Sequence, residues 1–260
     1  MRSDRAAQRI FFFVPAALLF AAGVAGTIVW CASMSAMGEV PMPGGWTMSM
    51  TWMLMCGQTW LGAATSFLCM WVLMMVAMML PSLAATLWRY RQALGHAGST
   101  RLGIPIALAG AGYFFVWTVF GMAVFAPGVA LAALEIRWPM LARAVPCAAV
   151  LVVLAAGALQ FTGWKARQLA CCRAAPDRDC ALPMSTGTAW QYGVRHGLHC
   201  GYCCTGLMAI LLVSGIMDLW VMALVTVAIT AERLAPAGER VARAIGVVVL
   251  GGGVWLLVTK

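Results

Sequence analysis

Apolar residues gather along this chain in long unbroken runs, with polar and charged residues collected between them. The runs Ile10–Cys31, Thr59–Leu80, Ile104–Leu134 and Ala144–Trp164 show no period-two alternation, so each predicts a helix. Lipid admits only helices and closed barrels, and about 20 apolar residues suffice to cross a ~30 Å hydrocarbon layer. The last third is denser, with one apolar stretch from Gly197 to Ala231 and another from Ala242 to Val258. As one helix, Gly197–Ala231 would run roughly 50 Å, too long for a single crossing. It also carries Asp218 in otherwise apolar surroundings. A break near Gly215–Asp218 resolves both problems. The expected fold is all-α, a polytopic helical membrane protein with 6–7 transmembrane helices in one bundle. Residues 1–260 are expected to form a single integral membrane domain.

Composition supports the same class. At 63% hydrophobic and 10% charged residues, a soluble domain of 260 residues could not hide its apolar side chains. The first apolar run is too long for a signal core and lacks a clear small-residue cleavage site, so it reads as a retained span.

The net charge of +9 is carried mostly by short segments between the runs, a pattern that orients a membrane protein and forms no nucleic-acid surface. Arg2, Arg5 and Arg9 place the N-terminus in the cytoplasm, at the inner (plasma) membrane of a bacterium. The Met-rich segment of about residues 32–58 has no Lys or Arg and is expected outside. Arg89, Arg91 and Arg101 return the chain to the cytoplasm. The next connection, with Arg137 and Arg143 against Glu135, would lie outside and fits the charge rule least well. Lys165, Arg167, Arg173, Arg178 and Arg195 make a basic cytoplasmic loop of about residues 165–196. With the break near Gly215–Asp218, Arg233, Arg240 and Arg243 also return inside, and seven spans fit the charges best.

Candidate chemistry concentrates at residues 196–204, His-Gly-Leu-His-Cys-Gly-Tyr-Cys-Cys. On a helix, His196, His199, Cys200 and Cys203 follow i, i+3, i+4, i+7 spacing and share one face within roughly 100°, with Cys204 beside Cys200. Imidazole and thiolate suit Cu(I) and Zn(II). Cytosolic placement would favour metal binding over a structural disulfide. The plainer alternative is that the cysteines are small buried hydrophobes and the histidines cap a helix or lie among headgroups. Met208, one turn beyond Cys204, could extend the site inward.

Three further groups add to this. On the second span Met70, Met74 and Met78 stack one above another, flanked by Met75 and Met79, with Pro81 ending or kinking the helix. That stripe is either a thioether track for Cu(I) or polarizable packing. Outside, Met34, Met37, Met42, Met48, Met50, Met53 and Met55 precede Cys56. They read as soft-metal capture or as a loop and interfacial piece anchored by Trp46, Trp52 and Trp60, the anchoring being preferred. In the basic loop, Cys171, Cys172 and Cys180 could complete a coordination shell or form a second dithiol, or else be idle thiols, the reading preferred for Cys171. Asp218 is a functional candidate because a lone ionisable group in a span is costly. Glu232 reads as interfacial, beside Arg233.

Phosphate-cradling glycine loops, HExxH and CxxCH do not occur in the sequence. These absences set aside several enzyme classes, and the chain reads more readily as a metal carrier than as an enzyme.

The segments Met70-Trp71 with Met74 to Pro81, Lys165 with Cys172-Arg173, and His196 to Met208 resemble a bacterial family of uncharacterised, predicted metal-binding integral membrane proteins. Gly215-Ile216-Met217-Asp218 with Trp220, Met222 and Glu232 continues the likeness, which covers most of residues 65–235. The chain departs from that pattern at Gln168, where the family carries Cys, at Thr205, where it carries an aromatic, and at Asp218, where it carries Asn. The resemblance implies a metal-binding membrane protein. Together the residues predict copper as Cu(I), with zinc as the alternative. His199, Cys200, Cys203 and Cys204 would be primary ligands, His196 an outer partner, and Met74 and Met78 a relay. The expected partners are the lipid bilayer and a periplasmic or membrane copper protein. Two other functions stay open, a membrane thiol–disulfide oxidoreductase using Cys200 and Cys203, and a non-catalytic assembly factor.

Overall fold

The computed structural model describes residues 2–54, 57–96, 102–173 and 186–258, without the side chains of residues 2–7, 95 and 96. Met55, Cys56, Arg101, Arg178 and Cys180 lie outside the described residues, as do the side chains of Arg2 and Arg5.

Eight α-helices run through the described residues. They are α1 (Arg2–Ala36), α2 (Trp60–His96), α3 (Gly103–Arg137), α4 (Pro139–Leu159), α5 (Gly163–Arg173), α6 (Thr186–Ser214), α7 (Leu219–Leu234) and α8 (Gly238–Val258). Six are long and apolar enough to cross a membrane, namely α1, α2, α3, α4, α6 and α8. The chain is thus an all-α, polytopic membrane protein. At 16 residues, α7 spans about 24 Å, short of a full crossing. It nevertheless runs back beside α6, since its Glu232 and Arg233 reach the level of Cys203 and Cys200.

The break between α6 and α7 falls where length and Asp218 place it. Gly215 takes φ +113°, a left-handed turn that a β-carbon would strain. Asp218 is the N-cap of α7, its Oδ1 accepting from the backbone N–H of Trp220 (2.8 Å) and Val221 (3.1 Å). Asp218 is exposed and caps a helix, so the cost that marked it as a functional candidate does not arise. Pro81 neither ends nor interrupts α2, which continues fifteen residues further to His96. The fourth apolar run extends less far than expected, because α4 stops at Leu159 and a separate short helix, α5, begins at Gly163.

The Met-rich segment of residues 32–58 is more than a loop. Glu39–Met42 (β1) and Trp46–Ser49 (β2) form an antiparallel hairpin with Val40 opposite Met48. Gly44 and Gly45 supply its positive φ values. The hairpin sits on the α3–α4 connection, where Trp46 Nε1 donates to Ala142 O at 2.9 Å and the Trp52 ring lies against Gly128. Met42 and Met48 are buried against Ala132 and Ala142. Trp46 and Trp52 therefore anchor this segment to protein.

Glycines set the closest helix contact. A β-carbon on Gly193 would lie 2.1 Å from Ala109 O, and one on Gly112 would lie 2.7 Å from Trp190 O. α3 and α6 therefore touch backbone to backbone, as small residues allow inside membranes. This contact holds α6, which carries the cysteines, against α3, which carries Tyr113.

Candidate metal centre

On α6, residues 200, 203 and 204 project into the bundle, and their sulfurs all lie within 4.8 Å of one another. Sγ–Sγ separations are 3.8 Å for Cys200–Cys204 and 3.6 Å for Cys203–Cys204. All three are at most 1% exposed. α5 adds a fourth sulfur, with Cys172 Sγ donating to Cys203 Sγ at 3.5 Å. α5 lies outside the six spans, and there the hydrogen bond to Cys203, followed by burial, pushes the Cys172 thiol well above its ordinary value. Three convergent thiols with a fourth in contact are a soft donor set that suits Cu(I), and also Zn(II), once deprotonated.

The histidines are placed differently. His199 is half-buried, with Nδ1 3.1 Å from Gln168 Oε1 on α5, and does not join the sulfur group. His196 is buried one turn before Cys200, its Nε2 2.8 Å from an Arg233 nitrogen and its ring stacked on Tyr192. Met208 is buried in the same core as the cysteines. So are Met74 and Met78, with Met70, Met75 and Met79. The methionine stripe and the thiols therefore share one interior. Cys171 is exposed.

Charged residues complete the centre, and the sequence pattern had placed them at the membrane boundary. Lys165 is buried, its Nζ donating to Cys203 O at 2.5 Å and to Glu232 Oε2 at 2.7 Å. Glu232 is only 1% exposed and also accepts from Gln160 Nε2 at 3.0 Å, which overturns its interfacial placement. Arg233 points inward as well. Its Nη1 donates to Ser82 Oγ (2.8 Å) and to Cys200 Sγ (3.2 Å), and lies 3.5 Å from Tyr113 OH. Tyr113 OH is itself 3.0 Å from Cys200 Sγ. Arg173 spans Glu232 O and Pro236 O. Lys165 and Arg173 on α5 and Arg233 on α7 are thus structural cations of the bundle, where the sequence suggests loop charges. The signal for Glu232 and Arg233 was their position at the end of an apolar helix, where buried ionisable groups pair or serve function. Tyr113 and Ser82 had no sequence signal.

The fold and site define a polytopic helical membrane protein with a buried cluster of thiols flanked by fixed charges. The chain matches the PpoB2 family, described as copper chaperones, over residues 68–256, and it belongs to that family. The matched stretch includes the methionine stripe, Cys172, the thiol cluster and the Glu232–Arg233 pair. No curated protein and no solved structure matches the chain.

Proposed function

We propose that this protein is a membrane-embedded Cu(I) chaperone that loads copper at Cys200, Cys203 and Cys204 and hands it to a copper protein. The observation that carries this reading is the convergence of the three buried sulfurs within 4.8 Å, inside a chain of a copper-chaperone family. Cys172 serves as the exchangeable fourth sulfur, because it reaches the cluster from a separate short helix. Met74, Met78 and Met208 supply thioethers along the interior through which the ion leaves, copper being cargo and not a resident cofactor. His199 and His196 act from the outer ring, through Gln168 and Arg233. The thiolates suit either ion, and the neighbouring thioethers add soft sulfur donors of the kind that hold Cu(I).

The acceptor is a periplasmic or membrane copper protein. The charge pattern supports a single domain in the inner membrane with a cytoplasmic N-terminus and the hairpin on the far side, with the thiol cluster midway along α6. Burial disfavours thiol–disulfide exchange, since an incoming protein disulfide needs an accessible attacking sulfur. A single ion needs only a path one side chain wide.

The test is metal analysis of protein purified anaerobically in detergent. Wild type should carry near-stoichiometric copper, and the Cys200→Ser/Cys203→Ser/Cys204→Ser variant should carry none. Metal-free wild type with a titratable Cys200–Cys203 disulfide would replace this reading with the redox one.

A further inference from the structure

Arg233 is a buried cation whose guanidinium, among the described residues, meets no carboxylate. Among the described residues, Glu232 is the carboxylate at ion-pair distance from a cation, and it is turned to Lys165. Arg233 instead bonds Ser82 Oγ on α2, the His196 ring on α6 and Cys200 Sγ, with Tyr113 OH of α3 beside it. Three helices hold the guanidinium in place, and it is only 5% exposed. A full charge in a low-dielectric interior calls for a counter-charge. Among the described residues, the candidate in contact is the thiol cluster itself, through Cys200.

This has a consequence for which ion the cluster holds. For any fixed number of thiolate ligands, a Cu(I) complex carries one more negative charge than the Zn(II) complex. A fixed cation nearby opposes the extra positive charge of the divalent ion, and the opposition strengthens as the local dielectric falls. We infer that Arg233 is a specificity-determining residue, a positioning group that acts through the Cys200 sulfur and biases the thiol site toward a monovalent soft cation, Cu(I), over Zn(II). The assignment rests on the thiol-centred copper reading. With Lys165 and Glu232 paired to each other, Arg233 is the cation that contacts a cluster thiol, so the bias can be altered in both directions.

The experiment measures Cu(I) and Zn(II) affinities of the full chain in detergent by anaerobic competition with a chromophoric chelator for each ion. A melting curve without metal checks folding. Arg233→Met should lower Cu(I) affinity by up to about tenfold to a hundredfold, the loss typical when an outer-shell partner is removed, and Zn(II) affinity by less, so that the Cu(I)/Zn(II) ratio falls. Arg233→Lys should keep most of the ratio. Glu232→Gln, which leaves Lys165 as an unopposed cation at Cys203 O, should raise the ratio. Equal losses for both ions in Arg233→Met would show a structural role alone and overturn the assignment. If Arg233→Met does not fold, Glu232→Gln decides, and an unchanged or lower ratio overturns it. Copper retained by a protein lacking all three α6 thiols would instead overturn the thiol-centred reading, and this assignment would fall with it.

Discussion

Replacing Lys165 by Met isolates the buried ion pair that ties α5 to α6 and α7. Lys165 and Glu232 side chains are 3% and 1% exposed, with Nζ 2.7 Å from Oε2. Met keeps most of the volume and removes the cation. Glu232 then retains one side-chain donor, the Gln160 amide. Breaking a buried pair from one side costs about 3–5 kcal/mol, because the remaining charge is left uncompensated. Loss of the Nζ bond to Cys203 O adds about 1 kcal/mol. Replacing both partners by apolar residues of similar size is much less costly. The assay is thermal unfolding in detergent, followed by tryptophan fluorescence. At about 2–4 °C per kcal/mol for a chain of this size, the pair term alone lowers the midpoint of Lys165→Met by about 6–20 °C. The Lys165→Met/Glu232→Met double variant should recover at least half of that. A single variant that melts as wild type does, or a double variant no better than the single, would refute the buried pair as the tie.

Gly193→Ala would place a β-carbon 2.1 Å from Ala109 O, forcing α3 and α6 apart and separating Tyr113 from Cys200. A loss of about 1–3 kcal/mol and weakened copper binding should follow, whereas Gly251→Ala, with nothing within 4 Å, should leave melting and copper affinity unaltered. Asp218→Ala should cost about 1 kcal/mol through the lost N-cap, with copper occupancy unchanged; a copper defect at wild-type stability would restore a functional role for Asp218. Metal uptake must displace thiol protons, and the Cys172 thiol is held above its ordinary value by its bond to Cys203 and by burial. Apparent Cu(I) affinity should therefore fall on acidification from about pH 8 to about pH 6 and recover on return. A pH-independent affinity, after correction for the competing chelator, would contradict thiol coordination.

Most of the fold was legible because length and hydropathy constrain a membrane chain so strongly. The Gly215–Asp218 break followed from a stretch too long to be one span, and the structure explains it with a left-handed Gly215 and an Asp218 cap. The same rule singled out Asp218 for its charge, whereas the structure gives it an N-cap role, since sequence does not show that a carboxylate at a helix start meets backbone N–H groups. The sulfur cluster was legible because helical spacing puts Cys200, Cys203 and Cys204 on one side. His199 shares that arc at its edge, yet its ring turns to Gln168 on α5, and only packing decides that direction. The charges were the main failure. Lys165, Glu232 and Arg233 sit at ends of apolar segments, where a charge usually meets headgroups. Here the short α5 and α7 place them inside, and their partners lie 67 and 33 positions away in sequence. The hairpin was missed although Trp46-Thr47-Met48-Ser49 does alternate after the Gly44-Gly45 turn, because strands of four residues are too short for periodicity to decide, and Pro41 within β1 argues against a strand.

The central claim is that the α6 thiols hold copper, and its most direct test is X-ray absorption at the copper edge on anaerobically loaded protein. The account predicts reduced copper in an all-sulfur first shell of about three atoms, lost in the Cys200→Ser/Cys203→Ser/Cys204→Ser variant. A first shell dominated by nitrogen or oxygen, or a spectrum unchanged by removing those thiols, would contradict it.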